Sequence, residues 1–169
     1  FSFHKDREYS DLILPKTNWL YLSSAGDGFE GIIPKIMELV GSGVKLAINP
    51  GSAELKNFEK LCGLLEKTEM LFLNKQEAEM LFEEQDIKPL LKKIISGGVK
   101  KAVITDGSNG AYIANDKEMF HMGIAPSTLV DPTGAGDSFA CGFTAGIIND
   151  LSLEESAKWG MVNSASVIG

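Results

Sequence analysis

Two cysteines and two histidines are all that 169 residues offer in thiol and imidazole metal ligands. Cys62 and Cys141 stand far apart and match no metal or redox spacing, so reduced, buried thiols in a cytoplasmic protein are expected. His4 and His121 stand alone and read as surface or strand residues. No apolar run approaches the roughly 20 residues that span a bilayer, which argues against a membrane segment. Lys and Arg number 16 against 23 Asp and Glu, a net charge of −7, and no basic cluster offsets it. Nucleic acid and anionic membranes are therefore poor partners. No G-x-x-x-x-G-K-[ST] loop occurs, and the protein-kinase and metalloprotease signatures are missing as well. Repeats and low-complexity stretches are absent, and no signal peptide is read. The chain opens at Phe1 rather than Met, as expected of a segment within a longer polypeptide.

What is present is ordinary globular material: 44% apolar and 23% charged residues, enough for one domain over 1–169 with a real core. Residues 19–23, 44–49, 70–73 and 102–105 read as buried strands. Helical patterns follow, with Phe29, Ile32, Ile33, Ile36, Met37 and Val40 on one face, and then Leu55, Phe58, Leu61, Cys62 and Leu65. Further helices are predicted near 75–82 and 87–96. A hairpin is predicted over 111–114 and 118–122, and two last helices near 137–149 and 153–168. Strands alternating with long helices predict a doubly wound α/β domain, its sheet mostly parallel and covered on both faces.

Near the end, Asp131-Pro132-Thr133-Gly134-Ala135-Gly136-Asp137 links a short apolar stretch to a helical pattern. A small Gly-rich loop opening a helix turns several backbone N–H groups, with the positive end of the helix dipole, toward one point. That makes an anion site for a group such as phosphate. A carboxylate at its mouth is electrostatically costly unless it has work, and Asp137 is placed to take a proton from an attacking hydroxyl. The amides of Gly134, Ala135 and Gly136 would then form the anion hole. A plain cap and turn is the structural alternative. Asn74 and Glu77 lie just past a strand and three apart, a carboxylate and amide suited to Mg²⁺, which takes few protein ligands. A first-turn Glu complementing the helix dipole is the alternative there.

A second loop competes. Gly26-Asp27-Gly28-Phe29-Glu30-Gly31 spells the dinucleotide fingerprint between a strand and a helix, which would suit an oxidoreductase. Asp27 and Glu30 would set negative charge against the pyrophosphate, and Asn49-Pro50 offers no acid for a ribose hydroxyl. A tight connection whose glycines relieve strain is the preferred reading.

The string Val130 to Phe143 (VDPTGAGDSFACGF) resembles the C-terminal signature of the PfkB, or ribokinase-like, carbohydrate kinases. Leu73-Asn74-Lys75-Gln76-Glu77, Val103 to Ile113 and Val162-Asn163-Ser164-Ala165 fit the same family in the same order. The resemblance implies a ribokinase-like fold and ATP-dependent phosphorylation of a sugar or nucleoside hydroxyl. It implies that Asn74 and Glu77 organise Mg²⁺ around the phosphates, largely through water. The loop holding Thr105, Gly107 and Gly110 would line the ATP site, and Asn163 would lie near the adenine. Asp131 and Thr133 match positions that help hold a monovalent cation such as K⁺, whose remaining ligands would follow Gly169. The family's N-terminal half and lid have no counterpart here, so the segment alone is expected to be inactive and to self-associate, for example as a homodimer. A non-catalytic nucleotide-binding module remains the other reading.

Overall fold

The computed structural model describes residues 16–124 and 133–168. Six strands form one sheet in the order β1-β2-β3-β4-β5-β6. These are β1 (Trp19–Leu22), β2 (Lys45–Ile48), β3 (Thr68–Asn74), β4 (Lys101–Thr105), β5 (Ala111–Ala114) and β6 (Met119–Met122). The first four are parallel, and β4, β5 and β6 pair antiparallel, as the hairpin pattern predicts. Among the described residues seven α-helices accompany them: α1 (Phe29–Gly41), α2 (Ser52–Lys56), α3 (Phe58–Leu65), α4 (Lys75–Phe82), α5 (Ile87–Ser96), α6 (Ala135–Ile148) and α7 (Leu153–Ile168).

Strand alternation divides the core into two layers. Leu22, Leu46, Ile48, Leu71, Leu73, Ala102 and Ile104 point to one face. There they meet Phe29 and Ile36 of α1, Leu61 and Leu64 of α3, and Leu90, Leu91 and Ile94 of α5. The opposite set, Ala47, Met70, Phe72, Val103 and Ile113, packs on Phe139, Ala140 and Phe143 of α6 and on Leu153, Ala157 and Met161 of α7. Both faces are thus covered, and β2, β3 and β4 are correspondingly apolar along nearly their whole length. The crossover helices between parallel strands share one face, so the second face depends on the C-terminal helix pair alone.

That pair is unusually close. A methyl group on Gly146 would stand 2.7 Å from Ser156 Cα, and one on Gly142 would stand 2.8 Å from the Trp159 carbonyl oxygen. Small residues therefore set the distance between α6 and α7, and hence the height at which α6 meets the sheet. The buried Ser156 and Thr144 hydroxyls find no hydrogen-bond partner among the described residues, which fits tight backbone contact taking precedence over polar pairing.

Gly146→Ala is expected to destabilise the fold by roughly 1 kcal/mol net. Overpacking of about 1–3 kcal/mol outweighs the helix-propensity gain of about 1 kcal/mol. Gly63→Ala, in α3 with nothing near the added carbon, is expected to gain stability instead. Urea denaturation of both variants checks the contrast.

Candidate active site

Parallel strands all end at one edge of the sheet, and the loops that leave there meet the start of α6. Ser23 and Ser24 follow β1, Asn49, Pro50 and Gly51 follow β2, Asn74 ends β3, and Thr105 ends β4. With Phe72, Leu73, Glu77, Gly136 and Asp137 they line a cleft of about 280 Å³. This is where open α/β sheets place ligands.

Asp137 lies in the first turn of α6 and is exposed to the cleft. Gly134 caps the helix with φ of 80°, a left-handed conformation that favours glycine. No side chain caps this helix end among the described residues, so its first-turn N–H groups are those a helix leaves unsatisfied. Of Gly134, Ala135, Gly136 and Asp137, the last two line the cleft, and the first two precede them at the start of the helix. Thr133 is exposed immediately before them, and Asp131 lies outside the described residues.

One contact was not foreseen. The Asn49 side-chain amide donates to Asp137 Oδ1 at 2.8 Å, joining the end of β2 to the first turn of α6. A neutral donor fixes the carboxylate's direction without cancelling its charge. Beneath it, the Tyr21 hydroxyl is buried without a well-formed hydrogen bond. Its pKa is pushed up to about 12, mainly by burial; the neighbouring Asn49 amide opposes the rise, and the charge of Asp137 adds to it.

Asn74 and Glu77 form a reciprocal cap at the start of α4. Asn74 Oδ1 accepts from the Glu77 N–H at 2.9 Å, and Glu77 Oε2 accepts from the Asn74 N–H at 2.8 Å. The capping alternative is thus realised, and both residues still face the cleft beside Thr105. Burial raises the Glu77 pKa, the Asn74 bonds pull it down, and the nearby Asp137 charge pushes it up. Two carboxylates in one cleft create a local demand for positive charge.

The loop after β4 turns sharply, with Gly107 at φ of 52° and Gly110 at 92°. A methyl group on Gly110 would sit 2.0 Å from the Met122 carbonyl oxygen, so only glycine fits there. Lys75 pairs with Asp106 at 3.5 Å and ties this loop to the start of α4. Gly107 and Gly110 do not line the cleft itself. Asn163 lies elsewhere, in a separate groove along α6 and α7 with Trp159 and Val162. Its amide donates to the Ser138 carbonyl oxygen at 2.6 Å, holding α7 against the first turn of α6.

In the dinucleotide fingerprint, the first glycines form a short 3₁₀ turn, and the N–H of Gly26 at its head is already bonded to the protein's own acid. Glu54, fully buried, accepts from the N–H groups of Ala25 at 2.6 Å, Gly26 at 3.1 Å and Gly51 at 2.9 Å. A methyl group on Gly51 would collide with the Ser24 side chain at 2.5 Å. Glu54 therefore clasps the loop after β1 to the loop after β2. Neither Glu54 nor Asn49 belongs to a motif; the signal that could have found Asn49 is its place just past a parallel strand.

Among known proteins, the profile described as pfkB family carbohydrate kinase matches residues 43–169. The chain is 34% identical over 134 residues to a cytidine kinase of Thermococcus kodakarensis, covering 77% of this chain and 48% of that protein. It is 32% identical over 107 residues to an ATP-dependent 6-phosphofructokinase of Thermoanaerobacterium thermosaccharolyticum, covering 63% and 33% respectively. The solved nucleoside kinase of Methanocaldococcus jannaschii, an archaeal member of the ribokinase family, superposes with a TM-score of 0.77 at 26% identity. That match covers 95% of this chain and 53% of the other. The chain thus spans about half the length of the relatives it matches.

Because the Glu77 pKa is raised in the folded state, this carboxyl favours folding fully below its ordinary value of 4.5. That contribution is lost as pH rises through the higher folded value. Glu77→Gln keeps the capping acceptor and removes the titration. Its stability, relative to the parent protein in metal-free buffer, is expected to improve as pH climbs from 4.5 toward neutrality. Denaturant melts across that range check the sign.

Proposed function

Since the chain belongs to the pfkB family of carbohydrate kinases, we propose that it is the phosphoryl-transfer half of an ATP-dependent kinase acting on a hydroxyl group of a sugar or nucleoside. The observation that carries this reading is Asp137 itself. It is an exposed carboxylate in the first turn of a helix with no side-chain cap among the described residues, aimed by Asn49 and set where four parallel strands end.

Asp137 is the general base: its oxygen takes the proton of the acceptor hydroxyl as that oxygen attacks the terminal phosphorus of ATP, and the bond to the ADP oxygen breaks. Asn49 occupies Oδ1, which leaves Oδ2 to face the acceptor. The amides of Gly134, Ala135 and Gly136 form the anion hole, since developing charge is best met by preorganised donors that need not reorient. Asn74 and Glu77 are the residues that would hold Mg²⁺, and the elevated Glu77 pKa beside Asp137 fits a position awaiting a cation. When bound, the ion supplies neutralisation of phosphate charge. Thr105 at the cleft, with the Gly107 and Gly110 turn behind it, is the proposed nucleotide wall, and Asn163, which ties α7 to α6, is the proposed residue near the adenine. Asp131 and Thr133 are the proposed contributors to a K⁺ site. The acceptor lies on the other side of Asp137, toward Ser23 and Asn49. The protein is proposed to act in the cytoplasm and to self-associate through this half.

ADP release from Mg·ATP, coupled to a panel of sugars and nucleosides and using the natural full-length protein, tests the reading. Asp137→Asn is expected to lower kcat by about 10²–10⁴ with little change in the KM for ATP. Near-normal turnover in that variant would end the assignment. Glu77→Gln is expected to raise the Mg²⁺ concentration for half-maximal rate. Binding of Mg·ATP without transfer to any acceptor would favour the non-catalytic module.

A further inference from the structure

Glu54 is an acid with no exposed surface, and it enters no step proposed for phosphoryl transfer. We infer that it is a positioning residue: by spanning the loops after β1 and β2 it fixes Asn49, and through Asn49 the direction of the Asp137 carboxylate. This deepens the kinase reading and rests on it.

The division of its oxygens is the first argument. Glu54 Oε1 accepts from the N–H groups of Ala25 at 2.6 Å and Gly26 at 3.1 Å, both on the loop after β1. Oε2 accepts from the Gly51 N–H at 2.9 Å, on the loop after β2, with the Ser24 hydroxyl at 3.5 Å. Each loop is therefore held by a different oxygen of one carboxylate, and such bonds are about twice as strong as neutral ones. The two loops also touch, since a methyl group on Gly51 would stand 2.5 Å from Ser24 Oγ.

How this reaches Asp137 follows from residues 49–51, directly after β2. The Asn49 N–H is bonded to the Leu22 carbonyl oxygen at 2.8 Å, and the Gly51 N–H to Glu54. Pro50 between them has no N–H to donate, and its ring restricts both its own backbone and that of Asn49. The Leu22 carbonyl is thus the upstream anchor of a stiff segment, and Glu54 is the downstream one. From that segment the Asn49 side chain reaches the cleft and donates to Asp137 Oδ1 at 2.8 Å, the one side-chain hydrogen bond of Asp137 among the described residues. Misplacing a reacting group by about 1 Å can cost about 10²-fold in rate, even when the cause lies away from the chemistry. Glu54 does not line the cleft, yet it sets where the donor to the base stands.

The test measures ADP release from Mg·ATP by the natural full-length protein, with the acceptor it turns over fastest in a panel of sugars and nucleosides. Rates are taken per folded molecule, at a temperature where circular dichroism shows each variant fully folded. Glu54→Gln keeps the side chain's size but turns one acceptor oxygen into a donor, which must then face an N–H of one loop. It is expected to lower kcat by about 10–100-fold while the KM for ATP moves by less than about threefold. In an Asn49→Ala background the same substitution is expected to cost less than about threefold, because its effect passes through Asn49. Gly51→Ala leaves the acid in place and drives the two loops apart. It is expected to show the same pattern, and it carries the test if Glu54→Gln does not fold. An unchanged kcat, an equal loss in both backgrounds, or a KM for ATP that rises as far as kcat falls overturns the inference and leaves the kinase reading standing. No ADP release by the parent protein with any acceptor overturns the kinase reading, and the inference with it.

Discussion

Parallel strands cannot end at opposite edges, and this constraint organises the molecule. Once β1 to β4 run side by side, the segments leaving their carboxyl ends emerge in one row. Ser23, Asn49, Asn74 and Thr105 are far apart in the chain and adjacent in space for that reason alone. The start of α6 is delivered to the same row from the opposite face, at a height set by the glycine contacts between α6 and α7. A helix N-terminus and an acid then converge on loops that need no regular structure of their own.

Negative charge is concentrated at this edge, and each acid is accommodated by a different physical means. Glu54 is buried and bonded to three backbone amides, which makes it part of the scaffold. Glu77 closes the cap of α4 with one oxygen and carries the burden of burial as a raised pKa. Asp137 stays exposed and receives a single neutral donor. Glu54 thus holds three backbone donors, whereas Glu77 and Asp137 each hold one.

Two glycine-rich loops precede helices here, and their local sequences look alike. They differ in what occupies their amides. Neither α1 nor α6 has a side-chain cap among the described residues, but the Gly26 N–H at the head of the first loop is bonded to Glu54, an acid well removed in sequence. Local pattern cannot separate these cases, because the deciding group arrives from elsewhere in the chain. The same holds for Asn163, whose amide is engaged by the Ser138 carbonyl oxygen across the helix pair.

The strands, their alternation between two buried faces, the hairpin at 111–122 and the Asp131–Asp137 string were all legible in the sequence. Each depends on periodicity or on turn chemistry among near neighbours, which the order of residues contains outright. Asn74 and Glu77 were legible for the same reason, being three residues apart on one helical turn. Asn49 against Asp137, Glu54 against Ala25 and Gly26, and the closeness of α6 to α7 were decided by the tertiary structure. They are contacts between residues brought together only when the sheet forms, and no local propensity encodes which distant side chain will reach a given amide or acid.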